Sequence, residues 1–192
     1  AAFIVTAACH LDVDGRMGFC FFFRDYEYLS SANIALLRGE YTEEMLDTGD
    51  PIPVYAGHAM QHLMARPDIN KIFLITQGYG SLFLSKILRK FSGVIAGVVL
   101  INPAFEKYPD SPMEDFDINK MPKDVPLFVI QSGFDNVVPE EDQNKWKEIA
   151  TSLKAKYVFY DKMDHSLVPT DHMFSPQEFG MHEFHISDVA LR

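Results

Sequence analysis

Apolar runs of strand length alternate along this chain with longer stretches in which apolar residues recur at helical spacing. The strand-like runs are Ala2–Ala8, Phe19–Phe23, Lys71–Thr76, Val94–Ile101, Leu127–Gln131 and Lys156–Tyr160, with a weaker apolar stretch at Asn33–Leu37. Helices are predicted over Ile52–Ala65, Ser81–Lys90, the segment that follows Pro139, and Pro176–Leu191. Strands that alternate with helices predict an α/β fold, a mostly parallel sheet flanked by helices.

The N-terminal part departs from this alternation. Neighbouring parallel strands need a connection of about a dozen residues or more. The interval between Ala8 and Phe19 is shorter than that and lacks helical periodicity. Either Ala2–Ala8 and Phe19–Phe23 pair as a hairpin, or this part of the sequence is incomplete. The run Phe19–Phe23 favours a central strand buried on both faces, with a protein contact surface as the alternative.

The composition is typical of one soluble globular domain that spans residues 1–192, with 47% hydrophobic and 23% charged residues. No apolar run reaches the roughly 20 residues that are needed to span a bilayer. The net formal charge is −10, and a field of this sign repels phosphate backbones and anionic lipids. We therefore expect no nucleic-acid partner and expect other protein subunits as the partners.

A tight turn follows the strand Lys71–Thr76. Acyl-transfer enzymes of α/β architecture place their nucleophile on a sharp strand-to-helix turn of the form Gly-x-Ser-x-Gly. Here Gly80 matches the second glycine, whereas Thr76 stands at the position of the first glycine and Gly78 at that of the serine. In this segment the sequence resembles the α/β-hydrolase superfamily.

The resemblance continues in three later segments. Gly97–Pro103 is similar to the strand and Asn-Pro turn that follow the helix of the reactive turn. Ser132–Pro139 resembles the loop of the catalytic acid, with Asp135 at the acid position. Met163–Ser166 resembles the histidine loop, with His165 at the position of the base. The order nucleophile, acid, histidine is the one that this superfamily uses.

The resemblance implies a degenerate triad of Gly78, Asp135 and His165. It also assigns the backbone N–H of Tyr79 to an oxyanion-type position, because the residue after the nucleophile donates there. Only a short connection joins the Asn-Pro turn to the next strand, so we expect no separate lid domain.

Glycine at position 78 has no side-chain oxygen, so the first step of a serine mechanism is missing. Glycine also relieves the backbone strain of such a turn, which costs another residue about 1–3 kcal/mol. Three other sources of an attacking oxygen remain open: the hydroxyl of Ser81, the hydroxyl of Ser132, and a water molecule activated by Asp135 and His165.

We expect no cofactor and no metal ion. Cys9 and Cys20 lack C-x-x-C spacing and are either two separate buried thiols, the favoured interpretation, or one disulfide. His182 and His185 are placed to share a helix face. A histidine-bearing surface helix is favoured over a zinc site there, because no acid lies at a known zinc spacing.

Three functions are compatible with these residues. The favoured one is a catalytically inactive α/β-hydrolase-like protein that serves as an interaction or structural component of a larger assembly. The second is a hydrolase of small esters or amides that uses an atypical nucleophile or activated water, and the third is a ligand-binding module that uses the vestigial cleft. The start at Ala1 rather than at methionine favours an exported protein of the bacterial periplasm or cell envelope, with a cytoplasmic protein as the alternative.

Overall fold

The computed structural model contains a sheet in which every pair of neighbouring strands is parallel. It describes residues 2–6, 31–32, 34–38, 51–107, 114–167 and 169–173. In chain order the strands of this part are β1 (Ala2–Thr6), β2 (Leu36–Arg38), β3 (Ile72–Gln77), β4 (Ile95–Ile101), β5 (Leu127–Phe134) and β6 (Lys156–Asp164). Across the sheet their order is β2-β1-β3-β4-β5-β6, which confirms the predicted parallel α/β architecture.

The helices of the described residues are α1 (Pro51–Met64), α2 (Leu84–Phe91) and α3 (Glu140–Ser152). α2 continues directly from a 3₁₀ turn, Gly78–Phe83, that takes up the first part of the predicted helix. α3 follows Pro139 and carries acidic residues in its first turn, where the positive end of the helix dipole stabilises them. In the part of the chain that the structure describes, no helix combines the length and the apolarity needed to cross a membrane.

Both faces of the sheet bury apolar residues, because alternate residues of a strand point to opposite sides. On one face the strands pack against all three helices, and the fully buried residues there include Met60, Leu74, Leu88, Leu100, Val129 and Trp146. On the other face Ile101 and Ile130 pack with Met163 and Leu167. Burial on both sides explains why the central strands read as nearly continuous apolar runs.

The N-terminal strand β1 pairs differently from the expected hairpin. β1 pairs in parallel with β3 on one side and with the short strand β2 on the other. The expected hairpin between Ala2–Ala8 and Phe19–Phe23 is therefore wrong as an account of how β1 pairs, and the chain between Thr6 and Leu36 is long enough for a parallel crossover. Phe19–Phe23 and the predicted helix Pro176–Leu191 lie outside the described residues, as do the two cysteines.

The ends of three strands place the predicted site residues at one edge of the sheet. Gly78 directly follows β3, Asp135 follows β5 and His165 follows β6. Parallel strands share the edge at which they end, so these three residues lie at the carboxyl edge. Ligand and catalytic sites of open α/β sheets occur at this edge.

Candidate active site at the strand-to-helix turn

The bend after β3 is built on a left-handed residue. Gly78 has a φ of 51° and begins the 3₁₀ turn that leads into α2. This conformation costs a non-glycine residue free energy because its Cβ approaches the carbonyl oxygen, whereas glycine adopts it freely. A reactive serine on a strand-to-helix turn adopts a strained backbone of this kind, and at this turn the position holds a glycine.

His165 and Asp135 form a buried hydrogen-bonded pair. The imidazole Nδ1 lies 2.9 Å from Oδ1 and 3.0 Å from Oδ2 of the carboxylate. The Asp135 side chain is fully buried, and its Oδ1 also accepts the backbone N–H groups of Val137 and Val138. Because a carboxylate only accepts, Nδ1 donates the proton and the Nε2 side of the ring is left for other contacts.

That other side of the ring faces Gly78. A Cβ atom built on Gly78 would stand 3.1 Å from both Cε1 and Nε2 of His165. The structure therefore brings together the three positions that the sequence predicted to belong to one site, with Asp135 and His165 in hydrogen-bond contact and Gly78 beside the ring.

The backbone of the histidine loop is held by two amide side chains. The carbonyl oxygen of His165 accepts from Asn102 Nδ2 at 2.8 Å and from Gln77 Nε2 at 3.2 Å. Asn102 also accepts the backbone N–H of Ser132 at its Oδ1, at 2.8 Å, and itself has a φ of 44°. Asn102 thereby ties the ends of β4 and β5 to the loop that carries His165.

These two amides were not predicted to hold the site, and the sequence contains a signal for them. Gln77 and Asn102 are buried polar residues at the carboxyl ends of the apolar strands β3 and β4. A buried polar side chain is nearly always hydrogen-bonded, so a polar residue that ends a buried strand marks a contact with a neighbouring loop.

The hydroxyls of the two candidate serines differ in their hydrogen bonds. Ser81 is fully buried, and its Oγ lies 2.8 Å from the carbonyl oxygen of Gly78 and 2.6 Å from that of Ala104. The Oγ of Ser132 is buried and has no hydrogen-bond partner in the described part of the chain. Neither hydroxyl is therefore hydrogen-bonded to His165.

The loop after β4 is hydrogen-bonded to the turn that begins at Gly78. The N–H of Ala104 donates to the carbonyl of Gly78 at 3.0 Å, and the carbonyl of Ala104 accepts from Trp146 Nε1 at 3.1 Å. The buried carboxylate of Asp142 accepts the N–H groups of Phe105 and Glu106, at 2.7 and 3.0 Å. The helix α3 thus anchors the loop against which the turn rests.

Tyr79 is the second residue of the 3₁₀ turn and is buried. It follows the residue that faces His165, which is the position from which a backbone N–H would reach a developing oxyanion. Its role as a donor stays a prediction. Among the described residues, no cluster of three or more His, Cys, Asp or Glu side chains could hold a metal ion.

No protein-family model matches the chain, and no curated protein does. Solved structures, in contrast, are similar to it over most of its length. With polyneuridine aldehyde esterase the TM-score is 0.59 at 14% identity, over 93% of this chain and 95% of the esterase chain. With a sugar hydrolase from Lactococcus lactis it is 0.55 at 13% identity, over 94% and 82%.

A third similar structure comes from the metagenome-derived lipolytic enzymes LipS and LipT. Its TM-score is 0.61 at 15% identity, over 88% of this chain and 87% of that one. The strand order, the turn after β3 and these likenesses agree: the chain has the α/β-hydrolase fold.

Proposed function

We propose that the protein is a catalytically inactive α/β-hydrolase-fold protein that serves as an interaction or structural component of a protein assembly. The observation that carries the proposal is the glycine that faces a hydrogen-bonded His165–Asp135 pair. The imidazole of such a pair activates a hydroxyl, and residue 78 has none. Loss of the nucleophile alone removes nearly all of the benefit of a triad, because its members act as a unit.

Exposed apolar side chains at the opposite edge of the sheet support a role in binding other proteins. Met64 is 50% exposed, Val94 38% and Leu153 41%. They lie in or beside the connections that enter β3, β4 and β6, so they belong to the edge at which these parallel strands begin. Apolar side chains exposed at one edge of the sheet are candidates for a protein contact surface. A partner bound there would leave the edge that carries Gly78 uncovered.

The inactivity is tested by labelling the purified protein with a fluorophosphonate, which reacts with activated serine hydroxyls. We expect no labelling of the wild-type chain, because Ser81 is hydrogen-bonded to carbonyl oxygens and Ser132 makes no hydrogen bond to His165. Robust labelling that maps to either serine would overturn the proposal. Mass spectrometry of the labelled peptide distinguishes the two positions.

One observation favours a second function. The His165–Asp135 pair has the geometry of a general base, and 11% of the His165 side chain is exposed to solvent. A hydrolase of small esters or amides that activates water in this way would lose its turnover in Asp135→Asn and in His165→Ala. Turnover that survives both substitutions would exclude it, as would the lack of any turnover in the wild-type protein.

A further inference from the structure

A cleft of about 560 Å³ lies between α3 and the outer strands β5 and β6. Its volume falls within the range of small-molecule sites, roughly 300–1,000 Å³. The loop that carries Asp135 forms one wall of this cleft, whereas neither Gly78 nor His165 lines it. The cleft therefore lies beside the candidate active site and shares Asp135 and its loop with it.

A buried amide at this cleft lacks a hydrogen bond. Gln131 is fully buried and lines the cleft. Its Oε1 accepts from the hydroxyl of Tyr157 at 2.6 Å, and its Nε2 has no partner among the described residues. If the amide were rotated by 180°, the oxygen would be left without a partner instead. Burying a polar atom without a partner is costly, so Gln131 favours a bound group that hydrogen-bonds it.

The lining of the cleft also includes an exposed ammonium group. Lys147 of α3 lines it and makes no ion pair within the part of the chain that the structure describes. Two carboxylates line the same cleft. Asp135 is hydrogen-bonded to His165, and Glu140 is exposed at the start of α3, about 10 Å from Lys147 along the helix axis. The Nε2 donor of Gln131 and the ammonium group of Lys147 therefore favour a bound anion in the part of the cleft that Lys147 lines.

The remaining lining supplies an apolar surface. Phe159 of β6 and Met173 are each 52% exposed, so they present large apolar side chains to a bound molecule. In the sheet register Phe159 pairs directly with Gln131, and Tyr157, two residues earlier in β6, lies on the same face as Phe159. Burial raises the pKa of the Tyr157 hydroxyl, which keeps it a hydrogen-bond donor toward Gln131.

We propose that this cleft binds a small aromatic carboxylate, whose oxygens accept hydrogen bonds from Gln131 and Lys147 and whose ring packs against Phe159. Benzoate is the probe, and benzamide is its neutral counterpart of the same shape. We expect saturable binding of benzoate in the millimolar range that is typical of so small a ligand. In NMR spectra of the ¹⁵N-labelled protein, the side-chain NH₂ signals of Gln131 should shift with benzoate concentration.

The matched variants are Lys147→Met and Lys123→Met, which change the net charge equally. Lys123 is exposed in a turn and does not line the cleft. We expect Lys147→Met to weaken benzoate binding about fivefold, the effect of losing one partly exposed ion pair. Lys123→Met should leave the affinity unchanged, and benzamide should bind both variants and the wild type equally weakly.

Two results would overturn this assignment. One is the absence of saturable benzoate binding to the folded wild-type protein. The other is equal benzoate affinity in Lys147→Met and Lys123→Met. Because the lining excludes Gly78 and His165, binding here is independent of whether the turn after β3 supports catalysis.

Discussion

The ring of His165 lies so close to Gly78 that a Cβ atom on residue 78 would stand 3.1 Å from its Cε1 and Nε2 atoms. This is tighter than nearly all real contacts of a Cβ atom, so any side chain at position 78 requires the ring to shift by a few tenths of an ångström. The ring is held through Asp135 on one side and through its backbone carbonyl by Asn102. The histidine loop is thus packed around a glycine.

Replacing Gly78 by alanine should destabilise the protein. Its φ of 51° is strained for an L residue, at a cost of about 1–3 kcal/mol, and the new methyl group would also press on His165. Gly57→Ala in α1 is the matched control, because a Cβ there meets only the flexible end of Lys90, at 3.5 Å, and the edge of Phe91. The control should be stabilising by roughly 0.5–1 kcal/mol, since glycine weakens a helix interior.

Urea denaturation measures both variants. If Gly78→Ala raised the free energy of unfolding as Gly57→Ala is expected to do, the left-handed turn after β3 would be absent from the folded protein.

Gly133→Ala should disrupt the strand pairing that positions Asp135. A Cβ on Gly133 would lie 2.5 Å from the carbonyl oxygen of Asp161, a backbone atom of the neighbouring strand β6 that cannot rotate away. The register of β5 and β6 shifts between Ser132 and Phe134, so the glycine allows this close approach. We expect a loss of about 1–3 kcal/mol or more, the cost of overpacking.

The control for this variant is Gly93→Ala, because nothing lies within 4 Å of a Cβ at Gly93. Chemical denaturation of the two variants, together with the NMR signals of the His165 ring, tests the expectation. Equal stability of both variants would contradict the close approach of β5 and β6 at Gly133.

Two substitutions of Asn102 separate its hydrogen bonds from its backbone conformation. Asn102→Ala removes the donor to His165 and the acceptor for Ser132, and it places alanine at a φ of 44°. Asn102→Gly removes the same hydrogen bonds without the strain. Both should destabilise the protein by about 1–3 kcal/mol, because buried partners are left unpaired. The alanine variant should be the less stable of the two by roughly 1 kcal/mol.

Thermal and urea denaturation give the two differences. A glycine variant as stable as the wild type would show that the hydrogen bonds of Asn102 do not hold the histidine loop.

The pH dependence of stability should contain a contribution from Tyr157. Burial raises the pKa of its hydroxyl, so the folded state favours the neutral phenol. An unfolded tyrosine ionises near pH 10, at about its ordinary pKa. The contribution is therefore fully present below about pH 10 and is lost as the pH rises through the raised pKa of the folded state.

In Tyr157→Phe the side chain of residue 157 cannot ionise. The free energy of unfolding of this variant should therefore fall less steeply above about pH 10 than that of the wild type. It also loses the hydrogen bond to Gln131, which lowers its stability at every pH. Urea midpoints measured at neutral and alkaline pH separate the two effects. Parallel pH profiles of the two proteins would show that Tyr157 is equally solvated in the folded and unfolded states.

The sequence predicted the long strands, because a strand buried on both faces leaves a continuous apolar run. The resemblance to α/β-hydrolases assigned Gly78, Asp135 and His165 to segments that follow three of these strands, and the structure brings the three residues together. The predicted strand ends at Gln131 and Tyr160 were too early, however, since β5 continues to Phe134 and β6 to Asp164. Backbone pairing continues there through polar residues, so a search for apolar runs does not detect the true ends of these strands.

The pattern of apolar residues did not predict how β1 pairs. β2 has only three residues, Leu36–Arg38, too few to show a periodicity, and it lies far along the chain from its partner. The contacts of Gln77 and Asn102 were missed for a related reason. Both donate to the backbone carbonyl of His165. Every residue has such a carbonyl, so the sequence does not show which residue accepts the hydrogen bond.

The last prediction concerns the restoration of a nucleophile. Gly78→Ser would place a hydroxyl beside the Nε2 side of His165, whose Nδ1 is already bonded to Asp135. The ring must shift slightly to admit the new Cβ, so we expect slow but measurable fluorophosphonate labelling where the wild type shows none. A general base contributes about 10²–10⁴-fold, so labelling should fall by at least about tenfold in Gly78→Ser/His165→Gln. Gly78→Ala controls for the added bulk without an oxygen. If Gly78→Ser were folded yet no more reactive than Gly78→Ala, the turn and the His165–Asp135 pair would not form a serine-activating site, and the interpretation of Gly78 as a lost nucleophile would fail.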